Sequence, residues 1–178
     1  GQAGYRTVVS GGIVDQFGRT LGKGAEFAWK TGKAHPNFYG PSGLVVLDPG
    51  ARNPTFDVFT TNYDALAVKL YKVAPSDYAA FGNYLNNQWQ RKKPSLPGTK
   101  VFDQLVRVKG TDDELIETAI DLAPGLDSGL GHVIAVVEPS PWKERYEPPR
   151  LVAWVQSTRL GVDAAVDRGE LHAWVNNL

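Results

Sequence analysis

The chain has 178 residues, of which 42% are hydrophobic and 21% are charged, and this composition excludes wholesale disorder. Its length allows one or two domains with a core of ordinary size. Nineteen Lys and Arg residues balance nineteen Asp and Glu residues. The sequence therefore lacks the positive charge that binding to nucleic acid or anionic membranes requires, and we expect no nucleic-acid partner.

The sequence contains no cysteine. This excludes disulfides, thiolate metal sites, a cysteine nucleophile and a thioester within these residues. No apolar run approaches the roughly 18 residues of a membrane span, and the first residues lack the pattern of a signal peptide. Methionine is also absent, even at position 1, so we expect the chain to be processed or cut from a longer polypeptide.

Residues 1–31 predict two or three short strands. Tyr5 to Ser10 is a β-branched run, and Gly-rich turns separate it from a second run, Phe27 to Trp29. Because so few strands cannot bury a stable face by themselves, we interpret residues 1–31 as the terminal strands of an immunoglobulin-like domain. Residues 32–53 follow as a Pro- and Gly-rich linker and a leading strand that includes Leu44 to Leu47.

Residues 54–138 predict one complete antiparallel β-sandwich of about seven short strands with one inserted helix. Two strands flank a Thr-Thr-Asn-Tyr-Asp turn and are predicted to form a hairpin; in the second of them Leu66, Val68 and Leu70 share one face. The run Glu114 to Leu122 gives the cleanest alternation in the sequence, as in a strand with one buried and one solvated face. The predicted fold class is therefore mainly β.

The inserted helix is predicted to begin near Ser76, which is the candidate N-cap. Lys92 and Lys93 favour its C-terminal end, and Pro94 stops it. The apolar positions at three- and four-residue spacing are Tyr78, Phe81, Leu85 and Trp89. The helix is therefore amphipathic, and we expect it to lie on the sheet rather than to stand free.

Residues 139–150 contain four of the twelve prolines and predict a second linker. Beyond it, the runs Leu151 to Val166 and Glu170 to Val175 are predicted to pair across a Gly-containing turn. Since an isolated hairpin is marginal in water, we interpret residues 151–178 as the first hairpin of a following, truncated domain. Its unpaired edges predict self-association or strand exchange at high protein concentration.

Three histidines are candidates for metal binding, but their positions match no known ligand spacing. His35 lies on the first linker, and His132 and His172 lie on separate predicted strands. Weak calcium binding by turn carboxylates is a second possibility. The acidic residues concerned are Asp112, Asp113, Glu114, Asp121 and Asp127. Because their spacing also matches no known loop, we favour solvated turns and expect no metal or other cofactor.

The sequence shows no catalytic constellation. The run Gly18 to Gly24 fails the spacing of a phosphate-binding loop, and Ser128 lacks a Gly-x-Ser-x-Gly elbow and is interpreted as a turn residue. Most aromatic residues alternate with apolar ones and are expected in the core, whereas Trp142 and Tyr146 are expected to pack between domains. We predict no site residues and no enzyme activity.

Three stretches carry a resemblance to a known family: Pro54 to Val73, with VFTTNYDALAVKLYKV, Leu122 to Pro139, and Arg150 to Leu178. They resemble the N-terminal half of bacterial alpha-2-macroglobulins, in which macroglobulin-type β-sandwich domains follow one another. Gly12 to Thr31 is similar to the end of the immunoglobulin-like domain that can precede them. The resemblance makes residues 54–138 a complete macroglobulin-like domain and residues 151–178 the start of the next.

The resemblance implies a periplasmic or cell-surface protein that traps proteases. In that family, cleavage of a bait segment triggers a rearrangement, and in many members a Cys-Gly-x-Gln thioester then acylates the attacker. This sequence has no Cys-Gly-x-Gln and no recognisable bait, so no functional residue is carried over. The implied role is a scaffold segment of a bacterial endopeptidase inhibitor. Its partners would be the other domains of the same polypeptide and, through the parent protein, target proteases.

Two other functions stay open from the residues alone. A free-standing immunoglobulin-like binding or adhesion module is equally permitted by tandem strands and Pro-rich linkers. A small hydrolase would need a nucleophile, a base and an orienting group at workable spacing, and the sequence does not offer them.

Overall fold

The structure is a computed structural model, and it describes residues 1–48, 50, 53–90, 94–142 and 146–177. Within them the chain is mainly β, as predicted, with twelve strands and the α-helix α1 (Tyr78–Asn87). The strands are β1 (Gly4–Val9), β2 (Ala25–Lys30), β3 (Asn37–Tyr39), β4 (Gly43–Leu47), β5 (Thr55–Thr61), β6 (Ala65–Val73), β7 (Thr99–Arg107), β8 (Ile116–Asp121), β9 (Gly131–Ser140), β10 (Leu151–Ser157), β11 (Leu160–Val166) and β12 (Leu171–Asn177). No helix in this part of the chain is long and apolar enough to cross a membrane.

Two sheets form a β-sandwich in the centre of the chain. One has the strand order β3-β5-β8, and the other has the order β4-β10-β9-β6-β7. Neighbouring strands are antiparallel except β4 and β10, which run parallel. The remaining four strands form two separate antiparallel hairpins, β1-β2 and β11-β12. The sandwich thus lies between two terminal hairpins.

The strands β5 and β6 show that the predicted hairpin across Asn62 is wrong. Both strands exist and alternate as predicted, but β5 pairs with β3 and β8, whereas β6 pairs with β7 and β9 in the other sheet. Phe56 and Val58 of β5 and Leu66 and Val68 of β6 face the shared core and are at most 1% exposed. The alternation of apolar and polar residues along a strand identifies which side chains face the core, but it does not identify the sheet in which the strand lies.

The pairing of β10 shows that a second predicted strand pairing is wrong. Residues 151–166 were predicted to form one strand of a C-terminal hairpin, but β10 pairs with β9 and β4, and only β11 pairs with β12. Ala153 and Val155 of β10 face the sandwich core, while Val152 and Trp154 pack towards α1. A strand that is buried on both faces is an apolar run without alternation. The domain limits at residues 54–138 and 151–178 stay predictions, although strands from both sides of the first range complete the sandwich.

The helix α1 covers the outer face of the five-stranded sheet. Phe81 and Tyr84 are buried against Val152 and Trp154, in agreement with the predicted contact between helix and sheet. Beside them, the Arg150 guanidinium pairs with the Glu138 carboxylate at 2.6 Å and donates a hydrogen bond to the Tyr84 hydroxyl at 3.3 Å. These contacts fasten the helix to β9 and to the start of β10.

The helix ends differ from the prediction. A 3₁₀ turn, Pro75–Asp77, precedes α1, and the Asp77 carboxylate accepts a hydrogen bond from the Ala74 amide at 2.9 Å, so Ser76 is not the N-cap. Proline is favoured at the first helical position because its φ is already helical, and winding therefore begins at Pro75. Trp89 lies beyond α1 and is 76% exposed. The predicted C-terminal residues Lys92 and Lys93 lie outside the described residues.

Two buried hydroxyl groups in the core generate a stability prediction. Thr60 and Thr118 are 0% and 8% exposed, and their Oγ1 atoms have no hydrogen-bond partner among the described residues. Replacing either by valine removes an unpaired polar group at nearly constant shape, so we expect the free energy of unfolding to rise by about 1 kcal/mol. Urea unfolding measures this, with Thr99→Val on exposed β7 as the control that changes little. Lower stability of Thr60→Val and Thr118→Val would contradict the prediction.

Candidate interdomain junction

The structure does not bring the candidate metal ligands together. His35 is exposed on the linker, His132 lies on β9 and His172 lies on β12. Within the described ranges, no group of three or more His, Asp or Glu side chains is arranged to hold a metal ion.

The acidic candidates in the turns have separate partners. Asp112 pairs with Lys33 at 3.6 Å and Asp127 with Lys72 at 2.6 Å, while the Asp121 carboxylate accepts a hydrogen bond from a backbone amide at 2.8 Å. Ser128 has a φ of +50° in the tight turn before β9, which agrees with its interpretation as a turn residue. These side chains therefore belong to individual turns or, for Asp121, to the end of β8, rather than to one site.

Asn62 and Asp113 form a reciprocal hydrogen-bonded pair between two turns. Asn62 lies in the connection from β5 to β6, and Asp113 lies in the connection from β7 to β8. The Asp113 amide donates to Asn62 Oδ1 at 2.7 Å, and Asn62 Nδ2 donates to Asp113 Oδ1 at 3.0 Å. Both residues have left-handed backbone conformations, with φ of 57° and 65°. Asn and Asp are the side chains that tolerate this conformation best after glycine.

The same pair holds the linker that follows the β1-β2 hairpin. The Ala34 amide donates to Asp113 Oδ1 at 2.7 Å, and the Ala34 carbonyl accepts from Asn62 Nδ2 at 2.7 Å. Hydrogen bonds from Asn62 and then from Ala34 lower the pKa of the Asp113 carboxyl below its ordinary value. We call Ala34, Asn62 and Asp113 the clasp. It binds both backbone groups of one linker residue and so fixes where the linker crosses the sandwich.

An open groove of about 720 Å³ lies beside the clasp. Lys33 and Asp112 form an exposed ion pair there, and Asp64 and Arg107 line the groove from the sandwich. The charges are mixed, and the lining residues come from both the linker and the sandwich. The groove thus has the character of a junction between two parts of the chain. Sequence reasoning noticed Asp113 only as a calcium candidate and missed Asn62 as its partner.

Each terminal hairpin exposes one apolar face. On β1-β2, the rings of Tyr5 and Trp29 stack with centroids 4.5 Å apart, and both are about half exposed. On β11-β12, the pairing register places seven apolar residues on one face. They are Leu160, Val162, Ala164, Val166, Leu171, Ala173 and Val175. A two-stranded hairpin with an uncovered apolar face is marginal by itself, so both hairpins need a neighbour for stability.

Trp142 and Tyr146, which were expected to pack between domains, contact each other. The Trp142 indole N–H donates to the Tyr146 carbonyl at 2.7 Å, and the two rings meet edge to face at 5.5 Å. Tyr146 is 66% exposed. Their contact with a further domain stays a prediction.

Comparisons with known proteins show the fold. No protein-family profile matches the chain. "Circularly permutated Ras protein 2" of Dictyostelium discoideum is 28% identical over 165 residues, an alignment that covers 76% of this chain and only 4% of that protein. A solved structure of native alpha-2-macroglobulin from Escherichia coli, spanning domains MG0-NIE-MG1, has a TM-score of 0.58 and 16% identity. It matches 98% of this chain, which spans 56% of that fragment.

Two further solved structures agree with this likeness. The E. coli fragment spanning domains NIE-MG1 has a TM-score of 0.58 at 17% identity, over 80% of this chain and 69% of its own. A mutant of Salmonella alpha-2-macroglobulin has a TM-score of 0.51 at 15% identity, over 98% of this chain and 10% of its own. The chain therefore has the mainly β fold of macroglobulin and immunoglobulin-type domains, in agreement with the sequence prediction.

The clasp predicts how the linker responds to substitution. Asp113→Ala removes the acceptor of the Ala34 amide and a residue that tolerates positive φ, so we expect hydrogen exchange at Ala34 to accelerate at least about tenfold. Asp113→Asn keeps a side-chain oxygen and should have a smaller effect.

The clasp also depends on pH. Because the pKa of the Asp113 carboxyl is lowered in the folded chain, the clasp persists above the ordinary pKa of Asp and is lost as the pH falls through the lowered pKa of Asp113.

The neighbouring carboxylate supplies the control for this experiment. Asp112 is 82% exposed and its carboxylate takes no part in the clasp. Asp112→Ala should therefore leave exchange at Ala34 unchanged. Equal acceleration in Asp112→Ala and Asp113→Ala would contradict the assignment.

His132 predicts a pH dependence of stability. The buried Trp154 indole N–H donates to His132 Nδ1 at 3.2 Å, and burial lowers the pKa of His132 below its ordinary value. As the pH falls, the unfolded chain therefore binds a proton at His132 before the folded chain does. The contribution of neutral His132 to the free energy of unfolding is complete above the ordinary pKa of about 6.5 and is lost as the pH falls below it. We expect the melting temperature of His132→Asn to fall less than that of the unaltered chain between pH 7.5 and 5. Exposed His35→Asn is the control, and parallel curves for His132→Asn would refute the assignment.

Proposed function

We propose that this chain is a structural scaffold segment of a bacterial alpha-2-macroglobulin-like protease inhibitor, with neither bait nor thioester in its own residues. The observation that carries the proposal is the structural alignment with the E. coli MG0-NIE-MG1 fragment, which runs through 98% of the chain. Such an alignment includes the terminal hairpins as well as the sandwich.

The physical features of the chain suit a scaffold. Its hairpins β1-β2 and β11-β12 each leave an apolar face for a neighbour, and the clasp holds the linker between the first hairpin and the sandwich. In this proposal, residues 1–31 end an immunoglobulin-like domain, and the hairpin β11-β12 enters the next macroglobulin-like domain, since β10 completes the central sandwich. The partners are then the other domains of the same polypeptide, and target proteases meet the parent protein elsewhere.

The same proposal gives the chain no catalytic role and places the parent protein in the periplasm or at the cell surface. The support is that the similar solved structures are alpha-2-macroglobulins. The chain spans 4% of the Dictyostelium protein and 10% of the Salmonella one, so activity would belong to the parent molecule.

The proposal is tested on the native protein from its source. We expect an intact mass far above the 19.4 kDa of this chain, and in a thioester-bearing parent a gain in mass after treatment with methylamine, which adds covalently to thioesters. Incubation with a protease should yield a covalent complex with such a parent, visible on a denaturing gel and absent after methylamine treatment. A large but unreactive protein should still retain protease on a sizing column. A native chain of 178 residues, or a large protein that retains no protease, would refute the proposal.

A further inference from the structure

The two sheets of the sandwich have four edge strands in total. One of these edge strands lacks most of the features that prevent pairing with another molecule. Natural edge strands avoid pairing with other molecules through charge, proline, irregularity or short length. β3 has three residues, β7 and β8 carry charged side chains, and the pairing of β6 with β7 also contains a register shift. The charged residues are Lys100, Asp103 and Arg107 on β7 and Glu117 and Asp121 on β8. β4, with the sequence GLVVL, carries no charged side chain and no proline, and its one irregular residue is Gly43 at its N-terminal end, with φ of 74°.

The burial of β4 shows that its outer edge is uncovered. No described strand pairs with the side of β4 that faces away from β10. Leu44 and Val46 point outward and are 53% and 54% exposed. Val45 and Leu47 pack against the core but stay partly exposed, whereas Val155 on the adjacent strand is 1% exposed. One further strand would therefore bury apolar surface on both faces of β4.

We propose that β4 is a self-association site at which a second copy of this chain adds its own β4 in antiparallel orientation. A two-fold axis at Val45 places Leu44 opposite Val46 of the second copy and Gly43 opposite its Leu47. All these cross-strand pairs are uncharged, so no like charges oppose each other. The same register places Ser42, a hydroxyl donor, opposite the Asp48 carboxylate at both ends.

Self-pairing is favoured over pairing with a charged strand because the register about Val45 opposes only uncharged side chains within β4. Antiparallel pairing about a two-fold axis uses one patch on both molecules and closes at a dimer. The five-stranded sheets of the two copies would then form one continuous sheet. This site differs from the apolar hairpin face of β11-β12, and the inference does not rest on the proposed function.

The test is sedimentation equilibrium of the 178-residue chain from micromolar to millimolar concentration. We expect the unaltered chain to dimerise. In Leu44→Lys/Val46→Lys, lysines oppose lysines, so the dissociation constant should rise at least about tenfold. In Leu44→Lys/Val46→Glu, each lysine faces a glutamate of the second copy, so dimerisation should recover relative to the double lysine variant. Leu105→Lys, on the exposed face of β7, should behave like the unaltered chain.

A separate variant distinguishes association through β4 from association through the C-terminal hairpin β11-β12. Val162→Lys disrupts the apolar face of β11-β12 and should leave the β4 dimer intact. Thermal melting of each variant establishes that it is folded. A monomeric unaltered chain at millimolar concentration would overturn the proposal. A dimer that is lost in Val162→Lys but kept in Leu44→Lys/Val46→Lys would also overturn it, and would assign association to the hairpin.

Cross-linking tests the register. The chain contains no cysteine, so Val45→Cys introduces a single thiol at the proposed two-fold axis. Mild oxidation should produce a disulfide-linked dimer at concentrations at which Leu105→Cys stays monomeric. Equal yields from the two variants would contradict antiparallel pairing centred on Val45.

Discussion

Burial of the five-stranded sheet on both faces is the constraint from which most of the structure follows. Residues 133–137 of β9 are at most 5% exposed, because the sheet β3-β5-β8 covers one side and α1 covers the other. A strand in this position can carry no solvated side chain, so β9 and β10 are apolar runs. Arg150, which is paired with Glu138 of β9, also donates a hydrogen bond to Tyr84 and so helps to position α1 on this sheet.

The sequence predicted the elements better than their pairing. Alternation in β6 and β8 and the three- and four-residue spacing in α1 identified strands, helix and inward residues, since these periods depend on local geometry. The pairing of β5 with β8 instead of β6, and of β10 with β9 instead of β12, depends on contacts between distant parts of the chain. The start of α1 was displaced because Pro75 begins helical winding before Ser76.

The clasp illustrates the same limit at the junction. Asn62 and Asp113 each lie in a turn that the sequence identified, and Asn and Asp are common where φ is positive. Nothing in either turn indicates that the two lie at the same end of the sandwich or that Ala34 passes between them. The contact becomes visible only when the sheet order is known, because β5, β6, β7 and β8 together bring the two turns into reach.

The parallel pairing of β4 with β10 has a consequence for the order of folding. β4 comes near the start of the sandwich and β10 at its end, so the chain must close its longest loop before this pair can form. Loop closure costs entropy before any contact compensates for it, and sheets rich in such distant pairs fold slowly. During synthesis, β4 therefore emerges early and stays unpaired until Ser157 is available. A nascent or truncated chain that ends before β10 would expose the open edge of β9, whose residues 133–137 are all apolar, to aggregation.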